Sequence, residues 1–204
     1  MFLQDDGHGD VYKRQELGIP GEKELRGMGV GYCATCDGFF FRDLDVCVVG
    51  GGDTALGDAV FLAKICKSVT VIHRRDAFRA ARRSVEQAEQ LENVRFIMDT
   101  VPVAIEGKTE VTGLLVENKK TGERHTIPCA GIFIAVGNIP DTKMLEGQVQ
   151  MDAGGYILAD ASLQTNLPGV YVAGDVRQTP LRQVVTACAD GALAAVMAEE
   201  YLHQ

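Results

Sequence analysis

Cys33-Ala34-Thr35-Cys36, followed at once by Asp37, is the segment of this chain best suited to chemistry. Thiols at that spacing can close a small disulfide ring. The thiolate is the reactive form, and a neighbouring carboxyl can move protons. The same spacing is also half of a zinc site. No second C-x-x-C is present, and His8, His73, His125 and His203 are too dispersed to pair as ligands. Redox chemistry is therefore expected and a metal is not. Cys47, Cys66, Cys129 and Cys188 are scattered, mostly among apolar residues, and are expected to be structural.

The second chemical feature is the turn Gly50-Gly51-Gly52-Asp53-Thr54-Ala55. Gly50, Gly52 and Ala55 fit G-x-G-x-x-A between an apolar run, residues 45–49, and a segment of helical spacing, residues 54–66. That strand-to-helix context is what makes the motif a dinucleotide site. Gly50 permits the tight turn, Gly52 lets backbone approach a pyrophosphate, and Ala55 lets helix and strand pack closely. Asp53 and Thr54 complete the turn at the helix N-terminus, whose unpaired amides would face the phosphates. A second apolar run, residues 68–73, ends in His73-Arg74-Arg75, with Arg79 one helical turn beyond Arg75. An NAD site places an acid there. Guanidiniums instead offer bidentate bonds to a 2′-phosphate, so NADPH is expected over NADH.

The elements that must position these residues alternate between strand and helix. Residues 94–98 predict a third strand and residues 77–91 a charged helix. Residues 100–105, 111–118 and 123–128 predict an antiparallel meander, punctuated by Gly107 and the Thr121-Gly122 pair. Residues 131–136 return as a buried strand, and 138–141 read as a turn. Residues 156–158 and 170–173 predict further strands, and 184–202 a final amphipathic helix. The expected class is α/β: a Rossmann-like, three-layer dinucleotide-binding domain with a meander. A formal charge of −8 argues against nucleic acid or an anionic membrane as partner, since both reward clustered Lys and Arg. No apolar run reaches the ~18 residues of a membrane span, and no signal pattern opens the chain, so a cytoplasmic protein is the default expectation.

Taken together, the segment Gly31-Tyr32-Cys33-Ala34-Thr35-Cys36-Asp37-Gly38-Phe39, the glycine turn, His73-Arg74-Arg75-Asp76 and Gly174-Asp175-Val176 resemble bacterial low-molecular-weight thioredoxin reductases. The resemblance runs from about Glu16 to the C-terminus. It implies electron flow from NADPH through FAD and a Cys33–Cys36 disulfide to thioredoxin, in a homodimer. It implies that Cys36 faces the flavin, that Cys33 attacks the thioredoxin disulfide and that Asp37 exchanges protons with the thiols. It makes Asp175, after Gly174, a ligand of the FAD ribityl chain. Arg182, Gln183 and Val184 then begin a helix directed at the pyrimidine end of the flavin. Gly137 opens the crossing from the NADPH domain into the C-terminal part of a split FAD domain. The chain departs from the family where an acidic pair is usual, carrying Gly57-Asp58.

The expected domains are a leader of artefactual or disordered kind over 1–15, an NADPH domain with the redox motif over 16–137, and part of the FAD domain over 138–204. Residues 10–15 back-translate to a string like the end of a transposase adapter. The family's first G-x-G-x-x-G unit, for the ADP half of FAD, has no counterpart before Glu16. The isolated chain is accordingly expected to bind NADPH and to hold FAD poorly. Three rival expectations remain: a peroxiredoxin-reducing flavoprotein of the same family, a ferredoxin-driven relative that would not need the arginine cluster, and an NADPH-binding module without catalysis.

Overall fold

The computed structural model describes residues 12–203. The leader expected over 1–15 therefore lies largely outside the described residues. In chain order the elements are β1 (Tyr12–Arg14), β2 (Val30–Gly31), α1 (Ala34–Asp37), β3 (Asp45–Gly50), α2 (Asp53–Leu62), β4 (Ser68–Ile72) and α3 (Arg82–Glu89). There follow β5 (Val94–Ile97), β6 (Thr100–Gly107), β7 (Val111–Asn118), β8 (Arg124–Pro128), β9 (Gly131–Ala135), β10 (Asn138–Pro140) and α4 (Val184–Leu202). The chain divides into two compact units, one being Glu16–Gly137 and the other the chain that flanks it on both sides.

The first unit is a three-layer α/β domain. Its central sheet is parallel, in the order β2-β9-β3-β4-β5. Strands buried on both faces must be apolar where they are buried, as β9 and residues 46–49 of β3 are. Successive side chains alternate between faces. Val46 and Val48 of β3, Val69 and Val71 of β4 and Phe133 of β9 pack against Ala55, Leu56, Ala59 and Leu62 of α2 and Ala88 of α3. Cys47, Val49, Ile72, Ile132 and Ile134 face the other way, onto Ile105, Leu114, Val116 and Ile127 of the antiparallel meander β6-β7-β8. Leu62 is completely buried, so Leu62→Ala would cost about 2–5 kcal/mol.

The second unit is built differently. β1 pairs antiparallel with β10, Lys13 opposite Ile139, so residues 138–140 are strand and not the expected turn. Residues 156–158 and 170–173 do not extend into strands. They make single bridges, Ile157 to Met151 and Arg177 and Tyr171 to Gln164. The buried cluster here is Val149, Ile157 and Val172. The helix α4 has the expected limits; none of its residues is fully buried, and its half-buried positions, Thr186, Ala187, Asp190, Ala194, Met197 and Ala198, recur at helical spacing. Cys47, Cys66 and Cys129 are buried thiols as expected, whereas Cys188 on α4 is exposed. No described helix is long and apolar enough to cross a membrane.

Candidate functional site: a redox disulfide and a dinucleotide turn

Cys33 and Cys36 are joined in a disulfide, with their Cα atoms 5.3 Å apart. Cys33 caps the short helix α1, and the backbone amide of Cys36 donates to its Sγ at 3.2 Å. Cys36 is the more exposed of the two. Ala34, between them, is buried against the α2 face of the sheet and anchors the motif to the core. The Asp37 carboxylate lies over Gly31: a Cβ there would stand 3.1 Å from its Oδ2. Phe39 and Phe40, just beyond the motif, are 58% and 80% exposed. The Arg42 guanidinium lies 6.0 Å from the centre of the Phe39 ring.

Behind the motif is a buried carboxylate that the sequence did not reveal. Glu22 is fully buried. It accepts hydrogen bonds from the amides of Leu17 (3.0 Å) and Gly18 (2.7 Å) and from the Tyr32 hydroxyl (2.8 Å). Burial, then the Glu22 bond, pushes the Tyr32 phenol up to about 12. Arg26 stacks over the Tyr32 ring and donates to Glu16 at 2.6 Å. A buried charge demands such partners, but partners ten residues apart leave no periodic signal in sequence.

At the glycine turn each position has its own spatial reason. A Cβ on Gly50 would press within 2.7 Å of the Ala55 Cβ and into the Ala135 carbonyl, so Gly50 and Ala55 bring α2 hard against the sheet. A Cβ on Gly52 would meet nothing within 4 Å, which leaves its backbone open to a ligand. Gly51, which the G-x-G-x-x-A reading leaves unassigned, has the His73 ring directly against it. His73 is buried. Its Nε2 lies 3.1 Å from the Ala77 carbonyl, and its ring stacks on Phe78. Burial holds the imidazole below its ordinary range, against the opposing pull of the Ala77 and Gly50 backbone. His73 thus supports the turn from below, while Arg74, Arg75 and Arg79 are exposed. None of the three guanidiniums forms an ion pair with a described residue. Asp53 accepts from the Ala81 amide and the Ser84 hydroxyl, both at 2.9 Å. Thr54 is exposed beside it at the start of α2. An open glycine amide, a helix start and three unpaired guanidiniums fit a phosphorylated dinucleotide.

The C-terminal residues of interest form a corner in the second unit. Gly174 takes φ +78°, a left-handed conformation that favours glycine. Its amide donates to Asp190 at 3.0 Å, and Arg177 grips the same carboxylate through Nε (2.6 Å) and Nη2 (2.9 Å). This bidentate bond holds the Asp190 carboxyl below its usual range. Partners thirteen residues apart leave no local pattern in sequence. Arg182 donates to the Asp175 carbonyl at 3.3 Å and lies 4.1 Å over the Tyr156 ring. Gln183 caps α4 in a reciprocal bond with Thr186. Val184, next to it, is 81% exposed, so the helix start is open to a ligand. Gly137, at φ +129°, closes the first unit. Among the described residues, no group of three or more His, Cys, Asp or Glu side chains is placed to hold a metal ion.

A parallel α/β domain that carries both a glycine-turn nucleotide site and a C-x-x-C disulfide defines a class: nucleotide-linked disulfide oxidoreductases. The chain belongs to the pyridine nucleotide-disulphide oxidoreductase family, whose model matches residues 12–191. It is 46% identical over 191 residues to a thioredoxin reductase of Streptomyces coelicolor, covering 93% of this chain and 59% of that protein. It is 46% identical over 193 residues to one from Peptoclostridium litorale, covering 92% and 61%. The crystal structure of thioredoxin reductase from Streptococcus pyogenes superposes with a TM-score of 0.89 at 44% identity, covering 94% of this chain and 63% of that one. The chain therefore spans about three fifths of the length of these relatives.

Proposed function

We propose that this chain is the NADPH-binding and disulfide-bearing portion of a cytoplasmic thioredoxin reductase, with part of its FAD domain, working as a homodimer on thioredoxin. The observation that carries the reading is the Cys33–Cys36 disulfide in the same unit as an open glycine turn flanked by Arg74, Arg75 and Arg79. The relatives named above support the choice of thioredoxin. When bound, NADPH and FAD together supply two electrons to the disulfide. The arginines would hold the 2′-phosphate, and the amides of Gly52 and the α2 start would hold the pyrophosphate. Gly174, Asp175, Arg182, Gln183 and Val184 would hold the flavin, with Asp175 as the residue for its ribityl chain.

Reduction opens the Cys33–Cys36 bond to two thiols, taking up two protons, with Asp37 as the exchanging carboxyl. Cys36 would be the cysteine that the flavin reduces, and Cys33 the nucleophile. A thiolate at Cys33 would keep the Cys36 amide bond to its Sγ, which favours the reactive form. The Cys33 sulfur attacks one sulfur of the substrate disulfide and releases the other as a thiol. Cys36 then attacks the mixed disulfide, which restores the ring and frees the second thiol. Exposed Phe39 and Phe40 beside the disulfide suit an apolar protein surface as the docking partner.

The test joins residues 16–204 to the N-terminal segment of the Streptomyces relative and measures NADPH oxidation with thioredoxin or peroxiredoxin. Turnover with thioredoxin that Cys36→Ser abolishes is the expected result. Turnover with peroxiredoxin alone would overturn the choice of partner.

A further inference from the structure

An anionic side chain at the first position of α2 ought to repel a pyrophosphate lodged in the turn. The structure shows that the Asp53 carboxylate is engaged elsewhere. Its Oδ1 accepts the Ala81 amide and the Ser84 hydroxyl, 28 and 31 residues further along the chain, each at 2.9 Å. Ala81 and Ser84 are the N-cap and first turn of α3. The loop between β4 and α3, which carries Arg74, Arg75 and Arg79, thus ends on the glycine turn. It is tied there a second time, because the Arg79 amide donates to the Gly51 carbonyl at 2.8 Å. His73 against Gly51 fixes the start of the same loop.

We propose that Asp53 is a positioning residue for cofactor choice: it straps the arginine loop to the glycine turn and so sets NADPH preference without touching either phosphate. This rests on the nucleotide reading above. Its two donors hold the carboxyl below the usual range, so it accepts both bonds at neutral pH. With the strap cut, the loop must be ordered when the 2′-phosphate binds, and that ordering weakens NADPH selectively, because NADH lacks the 2′-phosphate that the arginines would hold.

The experiment titrates the 204-residue chain with NADPH and with NADH, following nicotinamide fluorescence. Asp53→Ala is expected to weaken NADPH about tenfold and NADH less than about twofold. Asp53→Asn keeps an accepting oxygen and retains most of the preference. Ser84→Ala, which removes one donor at a half-buried site, gives a smaller loss in the same direction and carries the test if Asp53→Ala does not fold. Exchange of the Ala81 amide should quicken in Asp53→Ala. If the preference of the parent survives Asp53→Ala, because both cofactors weaken or tighten by the same factor, the strap is overturned alone. A parent with no preference overturns the nucleotide reading, and the strap with it.

Discussion

In the unit Glu16–Gly137 the parallel sheet is covered on both faces, by α2 and α3 on one and by the meander on the other. In the other unit the buried apolar side chains among the described residues include Val149, Ile157, Leu163 and Val172, and no residue of the 19-residue helix α4 is fully buried. The first unit holds its glycine turn and arginine loop on a closed apolar core. The second holds its Gly174–Asp175 corner on a polar clamp, Arg177 with Asp190, whose two side chains are largely buried. Apolar burial is non-directional and stabilises a whole layer. A single charged clamp fixes one corner and depends on both partners. Nucleotide chemistry that needs only the first unit is therefore expected from it alone.

Hydrogen exchange is the broadest test of that contrast. Amides of β3, β4 and β9 should exchange at least about a thousandfold more slowly than those of residues 156–173, which lack a ladder and have little core. Uniform protection across both regions would break the comparison. The next effect is local. Glu22→Ala removes a fully buried side chain that two backbone amides and the Tyr32 hydroxyl share as acceptor, and denaturant unfolding should report a loss of about 3 kcal/mol or more. Asp190→Ala should cost less, about 1–3 kcal/mol, and should speed exchange of the Gly174 amide without touching the parallel sheet.

A further effect depends on pH and concerns Asp58, whose carboxyl is desolvated on α2 and pushed up to about 7. A raised acid is bound by its proton more tightly in the native state. Its contribution to stability is present below about pH 4 and is lost as pH rises to about 7. Asp58→Asn should flatten that slope, so that the variant gains Tm over the parent at pH 8 relative to pH 5. Identical slopes would show that Asp58 is solvated.

The class of the fold was legible because β3, β4 and β9 are short apolar runs. The meander was legible because Gly107 and Gly122 punctuate it. The start of α3 was not: helical spacing begins at Ala77, yet the helix begins at Arg82. The reason lies outside that segment, in Asp53 and the Gly51 carbonyl, which hold residues 79–81 in another conformation. The limits of α4 were readable, but that none of its residues is fully buried was not, since sequence shows which residues are apolar and not what covers them. In the site, spacing located Cys33, Cys36 and the arginines. Gly51, Glu22 with Tyr32 and Arg177 with Asp190 act through tertiary neighbours and left no local pattern.

On the reading proposed above, the turn Gly50–Gly52 and the arginine loop form an NADPH site within one unit. It is tested most directly by measuring NADPH and NADH dissociation constants for the 204-residue chain and for the double variant Arg74→Ala, Arg75→Ala. A charge-assisted bond to the 2′-phosphate contributes about 1.5–3 kcal/mol. The parent should therefore bind NADPH at least about tenfold more tightly than NADH, and the double variant should lose most of that difference while its NADH affinity holds. Equal affinities for the two cofactors in the parent chain would contradict the account.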